Sequence, residues 1–358
     1  MNYTRQETDL IIADSIGLLT NKQKKLLLAV NNPNLADRQK YENELIKTVG
    51  DGVYNKVKAL FFDAGYRESV LADLKRRRLE CSTFKSADYP EQLKNIPSPP
   101  IVLYLRGRRE LLSTRMFAVV GSRRTPANVI ETCKRFCAEL SEYVTVVTGV
   151  ADGGDSAAVA GALSTGNVIC VLPGGHDSHC YNNVNLIGKA ESEGLVVSEF
   201  TPEERVQKHT FTLRNRVIAG LSEGVLVVSA GEKSGALSTA EYANDYSKDL
   251  FAFPYGVGAA AGAGCNRLIK NGAFLCDGVD DVLAALKIDY GRAATEVFEA
   301  DDGDEAAVFK LLKEQGEMHA EKIAAALNMN LTDVVTACSM LEIKGLIVRT
   351  GGNSFEAI

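Results

Sequence analysis

Between residues 116 and 288, short β-rich runs alternate with amphipathic stretches, and this alternation constrains the fold more than any other feature of the sequence. The runs are Met116–Val120, Tyr143–Val147, Asn167–Leu172, Leu195–Glu199, Val225–Ser229, Leu250–Pro254 and Ala273–Cys276. Each of the first six leads into a Gly- or Ser-containing turn or a loop and then into an apolar pattern of helical period. Parallel strands need long crossovers, usually helical, so the pattern predicts a doubly wound α/β fold with a mostly parallel sheet covered on both faces. Ligands of such sheets bind beyond the carboxyl ends of the strands, so function is to be sought in the loops that follow the runs.

The flanking segments read differently. Residues 1–80 carry apolar residues at three-to-four spacing (Leu10, Ile11, Ile16, Leu18; Val53, Val57, Leu60, Phe61) and predict a small helical domain. Its run Lys75-Arg76-Arg77-Arg78 is expected to close a helix, where cations complement the dipole, with a DNA contact as the alternative. Residues 81–290 hold the α/β domain, and 291–304 form a spacer ending in Glu299-Ala300-Asp301-Asp302-Gly303-Asp304. Over 305–358, three short helical patterns (about 305–315, 320–327 and 331–343) precede two β-rich runs around a Thr-Gly-Gly-Asn turn. Helix, helix-turn-helix, then hairpin is the order of a winged helix.

With 358 residues, 46% of them apolar, the chain can bury several domain cores. The N-terminus is polar and no stretch approaches the roughly 18 apolar residues that span a bilayer, which predicts a cytoplasmic protein without a membrane partner. Eight scattered cysteines without a CxxC, among apolar neighbours, read as reduced core residues, with Cys133 and Cys137 on one helical face. The net charge of −6 argues superficially against a nucleic-acid partner, but it is uneven. Residues 1–110 hold 19 Lys and Arg against 14 Asp and Glu, whereas 296–358 hold 5 against 12. Local patches therefore decide.

Five loops follow the strands. In Gly121-Ser122-Arg123-Arg124-Thr125-Pro126, glycine permits a sharp turn, Thr125 is expected as an N-cap and Pro126 at the first helical position. Free backbone N–H groups would then converge beside two arginines as an anion site. The chain has neither GxGxxG nor GxxxxGK[ST], which counts against NAD binding and ATP hydrolysis, and no cofactor is expected. In Thr148–Asp155, Asp155 is expected to cap a helix rather than pair with Asp152 in metal or acid–base chemistry. Pro173-Gly174-Gly175-His176-Asp177-Ser178-His179-Cys180-Tyr181 offers two histidines and a cysteine but no closed set of four metal ligands. The segment from Lys208 to Ser222 leads Lys208, Phe211, Arg214 and Arg216 into a helix at the sheet's ligand edge. Cations for phosphates plus an aromatic face for a base is what an unpaired strand requires. The alternative is that Phe211 is core and Arg214 a structural ion-pair partner. Finally, Ser229–Ala240 opens a helix with small residues that permit close approach.

Together these loops resemble the DNA-processing protein A (DprA/Smf) family. The resemblance starts at Asp88-Tyr89-Pro90 and Ile96-Pro97-Ser98-Pro99-Pro100 and passes through Val120-Gly121-Ser122-Arg123, Thr148-Gly149-Val150-Ala151 and Gly154-Asp155. It continues through Phe211 and Arg214-Asn215-Arg216-Val217-Ile218-Ala219-Gly220-Leu221-Ser222 to Ser234-Gly235-Ala236-Leu237, Phe251-Ala252-Phe253-Pro254 and Gly272-Ala273. It implies an extended Rossmann-like domain, preceded by a sterile-alpha-motif-like helical domain and followed by a winged helix. It further implies a non-catalytic, dimeric protein that binds single-stranded DNA and loads the RecA recombinase in natural transformation. On that resemblance Arg123 grips phosphate with Lys208 beside it and Phe211 stacks on a base, while Arg214, Asn215 and Gly235 shape the pocket. The sequence departs from the family at Val159, where a histidine is usual, at Gly154, where isoleucine is usual, and at Asn182, where proline is expected. The acidic C-terminal region, with only Lys344 basic near its recognition helix, predicts a protein-contact or regulatory role there.

Two other readings stay open. Pro173-Gly174-Gly175 begins the loop of Rossmann-like phosphoribohydrolases, although His176-Asp177-Ser178 does not continue it. A DprA-like sensor in stress or phage defence would keep the same fold.

Overall fold

A computed structural model describes residues 3–30, 35–178, 183–289, 303–343 and 346–357. Contacts divide the chain into two units, the first running to Ile288. It opens with helices α1 (Arg5–Ser15), α2 (Asn21–Ala29), α3 (Leu35–Val49), α4 (Asp51–Phe62) and α5 (Ala64–Arg76). Local chemistry starts the first two. Thr4 and Glu7, then Thr20 and Gln23, form reciprocal capping boxes that satisfy backbone donors the helix itself leaves open. Ile12, Leu27, Leu45, Tyr54, Val57 and Phe61 form the core of this bundle.

The sheet and its helices follow. In chain order they are β1 (Glu80–Thr83), α6 (Glu91–Lys94), β2 (Val102–Gly107), β3 (Met116–Gly121), α7 (Ala127–Leu140), β4 (Thr145–Thr148), α8 (Gly154–Ala162) and β5 (Val168–Val171). Then come α9 (Val184–Glu193), β6 (Leu195–Ser198), α10 (Lys208–Leu221), β7 (Gly224–Ser229), α11 (Ala236–Asp245), β8 (Asp249–Ala252), α12 (Ala263–Lys270), β9 (Phe274–Leu275) and α13 (Val279–Ala285). The strand order is β1-β2-β6-β5-β4-β3-β7-β8-β9. Strands β3 to β9 pair in parallel, as the alternation predicts. Every residue of β3 and β7 is buried, which is why these runs read as continuous apolar stretches rather than alternating ones.

Strands β1 and β2 were not foreseen. They pair antiparallel, and β2 adds antiparallel to β6. β2 follows a proline-rich stretch with no helical crossover to announce it. Both strands serve as the floor for the N-terminal helices: Leu10, Ile11 and Leu74 pack with Cys81, Val102 and Tyr104. The Tyr104 hydroxyl donates to Asp14 at 2.8 Å. Arg77 pairs with Asp73 at 2.6 Å and also with Asp177 and Glu203. The basic run closes α5 as expected, with Lys75 and Arg76 in its last turn, and Arg77 in addition fastens the helices to loops of the sheet.

The second unit is described by itself. It contains α14 (Asp304–Gln315), β10 (Met318–His319), α15 (Ala320–Leu327), α16 (Leu331–Ile343), β11 (Ile347–Gly351) and β12 (Ser354–Ala357), the winged-helix order expected from the sequence. Its core is Val308, Leu312, Ile323, Val334, Leu341 and Phe355. The acidic spacer up to Asp302 and Lys344 lie outside the described residues. Among the described residues, no helix is long and apolar enough to cross a membrane. Their seven cysteines are all buried and unbridged, while Cys180 lies outside them.

Candidate functional site

The strand order reverses between β3 and β7, because the chain first builds outward from β3 through β4, β5 and β6 and then returns to start again at β7. Two loops that leave adjacent strands in opposite directions open a crevice, and this switch point is where α/β sheets bind ligands. Here it holds a cavity of about 670 Å³, lined from the loops after β3, β4, β7 and β8, from the first two turns of α10 and from the first turn of α11.

Glycine contact and one buried brace hold these loops. A Cβ on Gly121 would stand 2.7 Å from the Gly154 Cα, so the loops after β3 and β4 touch backbone to backbone and neither position admits a side chain. Asp155 accepts from the Gly121 N–H at 3.1 Å and lies 3.8 Å from the Arg214 guanidinium. Arg214 donates to the Val171 carbonyl at 2.7 Å and to Asn215 Oδ1 at 3.0 Å. Asn215 in turn donates to Ser238 Oγ at 2.7 Å and reaches the Gly235 carbonyl at 3.4 Å. Burial pushes the Asp155 carboxyl above its usual range, against the pull of Arg214.

Exposed cations ring the opening: Arg123 and Arg124 after β3, and Lys233 after β7, with Glu232 the carboxylate among them. The Arg123 guanidinium lies over the half-buried Phe211 ring, 4.9 Å from its centroid, and that of Arg214 is 6.0 Å from it. Of the nine residues singled out in the sequence, Gly121, Ser122, Arg123, Arg124, Phe211, Arg214, Asn215 and Gly235 line this one cavity.

Lys208 does not. It is exposed at the first position of α10, one turn before Phe211 and outside the cavity wall. The arginines of α10 are both buried: Arg214, in the cavity wall, is 3% exposed, and Arg216, outside it, is 8% exposed, paired with Glu199 and donating to the Ser98 carbonyl at 2.5 Å. The two α10 arginines are braces and Lys208 stands outside the wall, so the exposed cations at the opening come from other loops.

Three local expectations are also corrected. α7 begins at Ala127 with Pro126 as cap residue, and Thr125 instead donates its hydroxyl to the Ser122 carbonyl at 2.7 Å, closing the turn. Asp155 caps nothing, since α8 starts after Gly153, which makes no side-chain cap. The N–H groups of Gly121 and Ser122 are not free for an anion: they donate to Asp155 and to the Ser229 carbonyl. The loop's cationic side chains, not these two N–H groups, are what it offers.

Lys233 and the Ala260–Ala261 turn were missed as lining. A signal for Lys233 existed: it stands just before a Ser-Gly helix start, as Arg123 and Arg124 stand before Thr-Pro. The Pro173-Gly174-Gly175 turn is not among the lining residues, and Gly175 packs against the carbonyls of Thr201 and Pro202.

Fold and site together define a Rossmann-like α/β protein with a cation-rimmed, aromatic-walled cavity at its switch point, followed by a winged helix. A family model for DNA recombination-mediator protein A matches residues 80–287, and one for the DprA winged helix domain matches residues 292–353. The chain belongs to the DprA/Smf family. Protein Smf of Escherichia coli is 31% identical over 296 residues, covering 80% of this chain and 79% of that protein. DNA processing protein DprA of Streptococcus pneumoniae is 36% identical over 198 residues, 55% of this chain and 70% of that protein. The match to Synechocystis Smf is 38% identical over 206 residues, 56% of this chain, and spans about half, 52%, of that protein. The solved structure of Streptococcus pneumoniae DprA superposes with a TM-score of 0.60 at 29% identity over 79% of this chain and 98% of its own. Helicobacter pylori DprA, whose structure concerns its single-stranded DNA binding mode, gives 0.53 at 29% identity over 59% and 97%.

Proposed function

We propose that this chain binds single-stranded DNA in the switch-point cavity, works as a homodimer in the cytoplasm, and delivers the bound strand to the RecA recombinase during natural transformation. The observation that carries the binding step is Arg123 packed on the half-buried Phe211 ring, with Arg124 and Lys233 exposed around the same concavity. A solvent-exposed guanidinium on an aromatic ring is worth about 0.5–1 kcal/mol, and a base stacked on such a ring about 1–3 kcal/mol. An incoming base therefore displaces Arg123 from Phe211 and leaves the guanidinium to a phosphate. Base pairs of a duplex are already stacked and cannot make this exchange, which favours an unpaired strand.

Binding without catalysis is the reading that suits the lining. Asp155, the buried carboxylate of the lining, is engaged by the Gly121 N–H and lies beside Arg214. Self-association is supported by β9, an edge strand whose Phe274 and Leu275 are 54% and 48% exposed.

The test is a salt-titrated comparison of single- and double-stranded oligonucleotides. Binding should favour the single strand and weaken steeply with salt, and Arg123→Ala should lower both affinity and the salt slope while the thermal melt stays normal. Unchanged affinity in Arg123→Ala and Lys233→Ala would refute the assigned cavity. Sedimentation tests the dimer, and the rate of recombinase filament formation on the bound strand tests the delivery step.

A further inference from the structure

A second cavity, about 560 Å³, lies between α7 and the segments that follow β8 and β9. Its chemistry is opposite to that of the first. The walls are apolar and aromatic, from Pro126, Val129, Phe136, Phe253 and Tyr255; among the described residues no lysine or arginine lines it, and the exposed carboxylate Asp277 does.

The walls are fixed. Phe136 and Phe253 meet edge to face at 5.5 Å, each 7% exposed. The Tyr255 hydroxyl donates to the Val228 carbonyl at 2.7 Å, and its backbone exchanges hydrogen bonds with Asn266 at 3.0 and 2.9 Å. Behind its ring, a Cβ on Gly262 would come within 1.8 Å. The two cavities adjoin: Ala260 and Ala261 line both, and Pro126 lies in the loop that carries Arg123 and Arg124.

We propose that this slot takes a second, unstacked nucleobase of the strand held by the first cavity, so that the strand passes from Phe211 across Arg123 and Arg124 into the aromatic slot beside α7. This rests on the single-strand reading above. A phosphate is unsuited to the slot, which offers a carboxylate and no cation, whereas a planar, largely apolar base suits three aromatic walls. The volume falls in the range of pockets that enclose a small planar ligand.

Val129→Trp fills the slot from the first turn of α7, and Thr132→Trp fills it from an exposed position one turn further along. Each variant is compared with wild type on a poly-dT oligonucleotide across a salt series, with thermal melts as the folding control. Loss of one stacked base predicts roughly fivefold or greater weakening with an unchanged salt slope, because no phosphate contact is lost. An oligonucleotide carrying alternate abasic sites should bind wild type and the filled variants alike. If both filled variants melt normally and bind poly-dT as wild type does while Arg123→Ala is weakened, the slot assignment is wrong and the first cavity stands. If Arg123→Ala and Lys233→Ala are also unaffected, the functional reading itself fails. A filled variant that lowers the salt slope would mean the slot holds a phosphate. One that changes sedimentation and not DNA affinity would mean it holds a protein segment. Either result overturns the proposal.

Discussion

The α/β unit and the winged helix are both architectures that elsewhere meet nucleic acids, yet their exposed edges carry opposite chemistry. At the switch point, Arg123, Arg124 and Lys233 reach the opening from two loops. On α16, the helix in the recognition position, the exposed residues include Thr332, Asp333, Thr336 and Met340, and the helix contains no lysine or arginine. Arg349 of the adjoining hairpin lies over Phe355, 4.9 Å from its centroid, and 3.7 Å from Glu342. A fold supplies a shape, and the side chains at its edge decide what that shape attracts. The contrast supports the proposal that phosphates are met by the first unit and that the second is suited to a protein contact.

The largest expected effect tests whether the cavity depends on its buried brace. Arg214→Ala leaves Asp155 buried without its cation and should destabilise the protein by about 3–5 kcal/mol in urea unfolding. A loss under about 1 kcal/mol would show that the brace is dispensable.

The second arginine of α10 gives the next effect, read through pH. Burial raises the Glu199 carboxyl to about 7 despite Arg216. The folded state therefore holds this proton more tightly than the unfolded chain. The associated stability is present in full below the unfolded carboxyl range and is lost as pH rises through about 7. The loss amounts to up to about 3 kcal/mol, and Glu199→Gln should flatten stability between roughly pH 5 and 7. An unchanged pH profile in that variant would remove Glu199 as its source.

Binding comes third. Arg123→Ala should weaken poly-dT affinity severalfold and reduce the salt slope by about one. Lys233→Ala should exceed Lys208→Ala, because only Lys233 lines the cavity; the reverse order would return the ammonium role to α10. The smallest effect sets the two units directly against each other. Removing residues 289–358 should change single-strand affinity by no more than roughly twofold and leave the salt slope intact, since α16 carries no lysine or arginine to meet a phosphate. A lower slope would give the winged helix a DNA role.

Much of this molecule is legible in sequence. The seven parallel strands follow from apolar runs at regular spacing, and the loops that bear Arg123, Arg124 and Gly235 follow from the rule that ligands sit at the carboxyl ends. The roles of Arg216 and Lys208 were not legible, and for Arg214 the sequence left a phosphate-facing cation and a structural ion pair both open. All three lie on one helix near Phe211, and helical spacing says which residues share a face but not which face the sheet covers. Lys233 was missed for the complementary reason: its position before a helix start matches that of Arg123 and Arg124, but the loop does not show that β7 stands beside β3. Strands β1 and β2 escaped because antiparallel additions need no crossover helix.

Hydrophobic periodicity and turn chemistry are local properties, so the sequence by itself determined the doubly wound sheet, the winged-helix order and the set of loops in which a ligand is met. Which charges remain in water and which become buried braces was decided only when α10 docked across the sheet. Burial depends on neighbours remote in the chain, and a guanidinium's role changes wholly with it: Arg123 stays exposed over the Phe211 ring, while Arg214, three residues beyond that ring, is sealed against Asp155 and Val171.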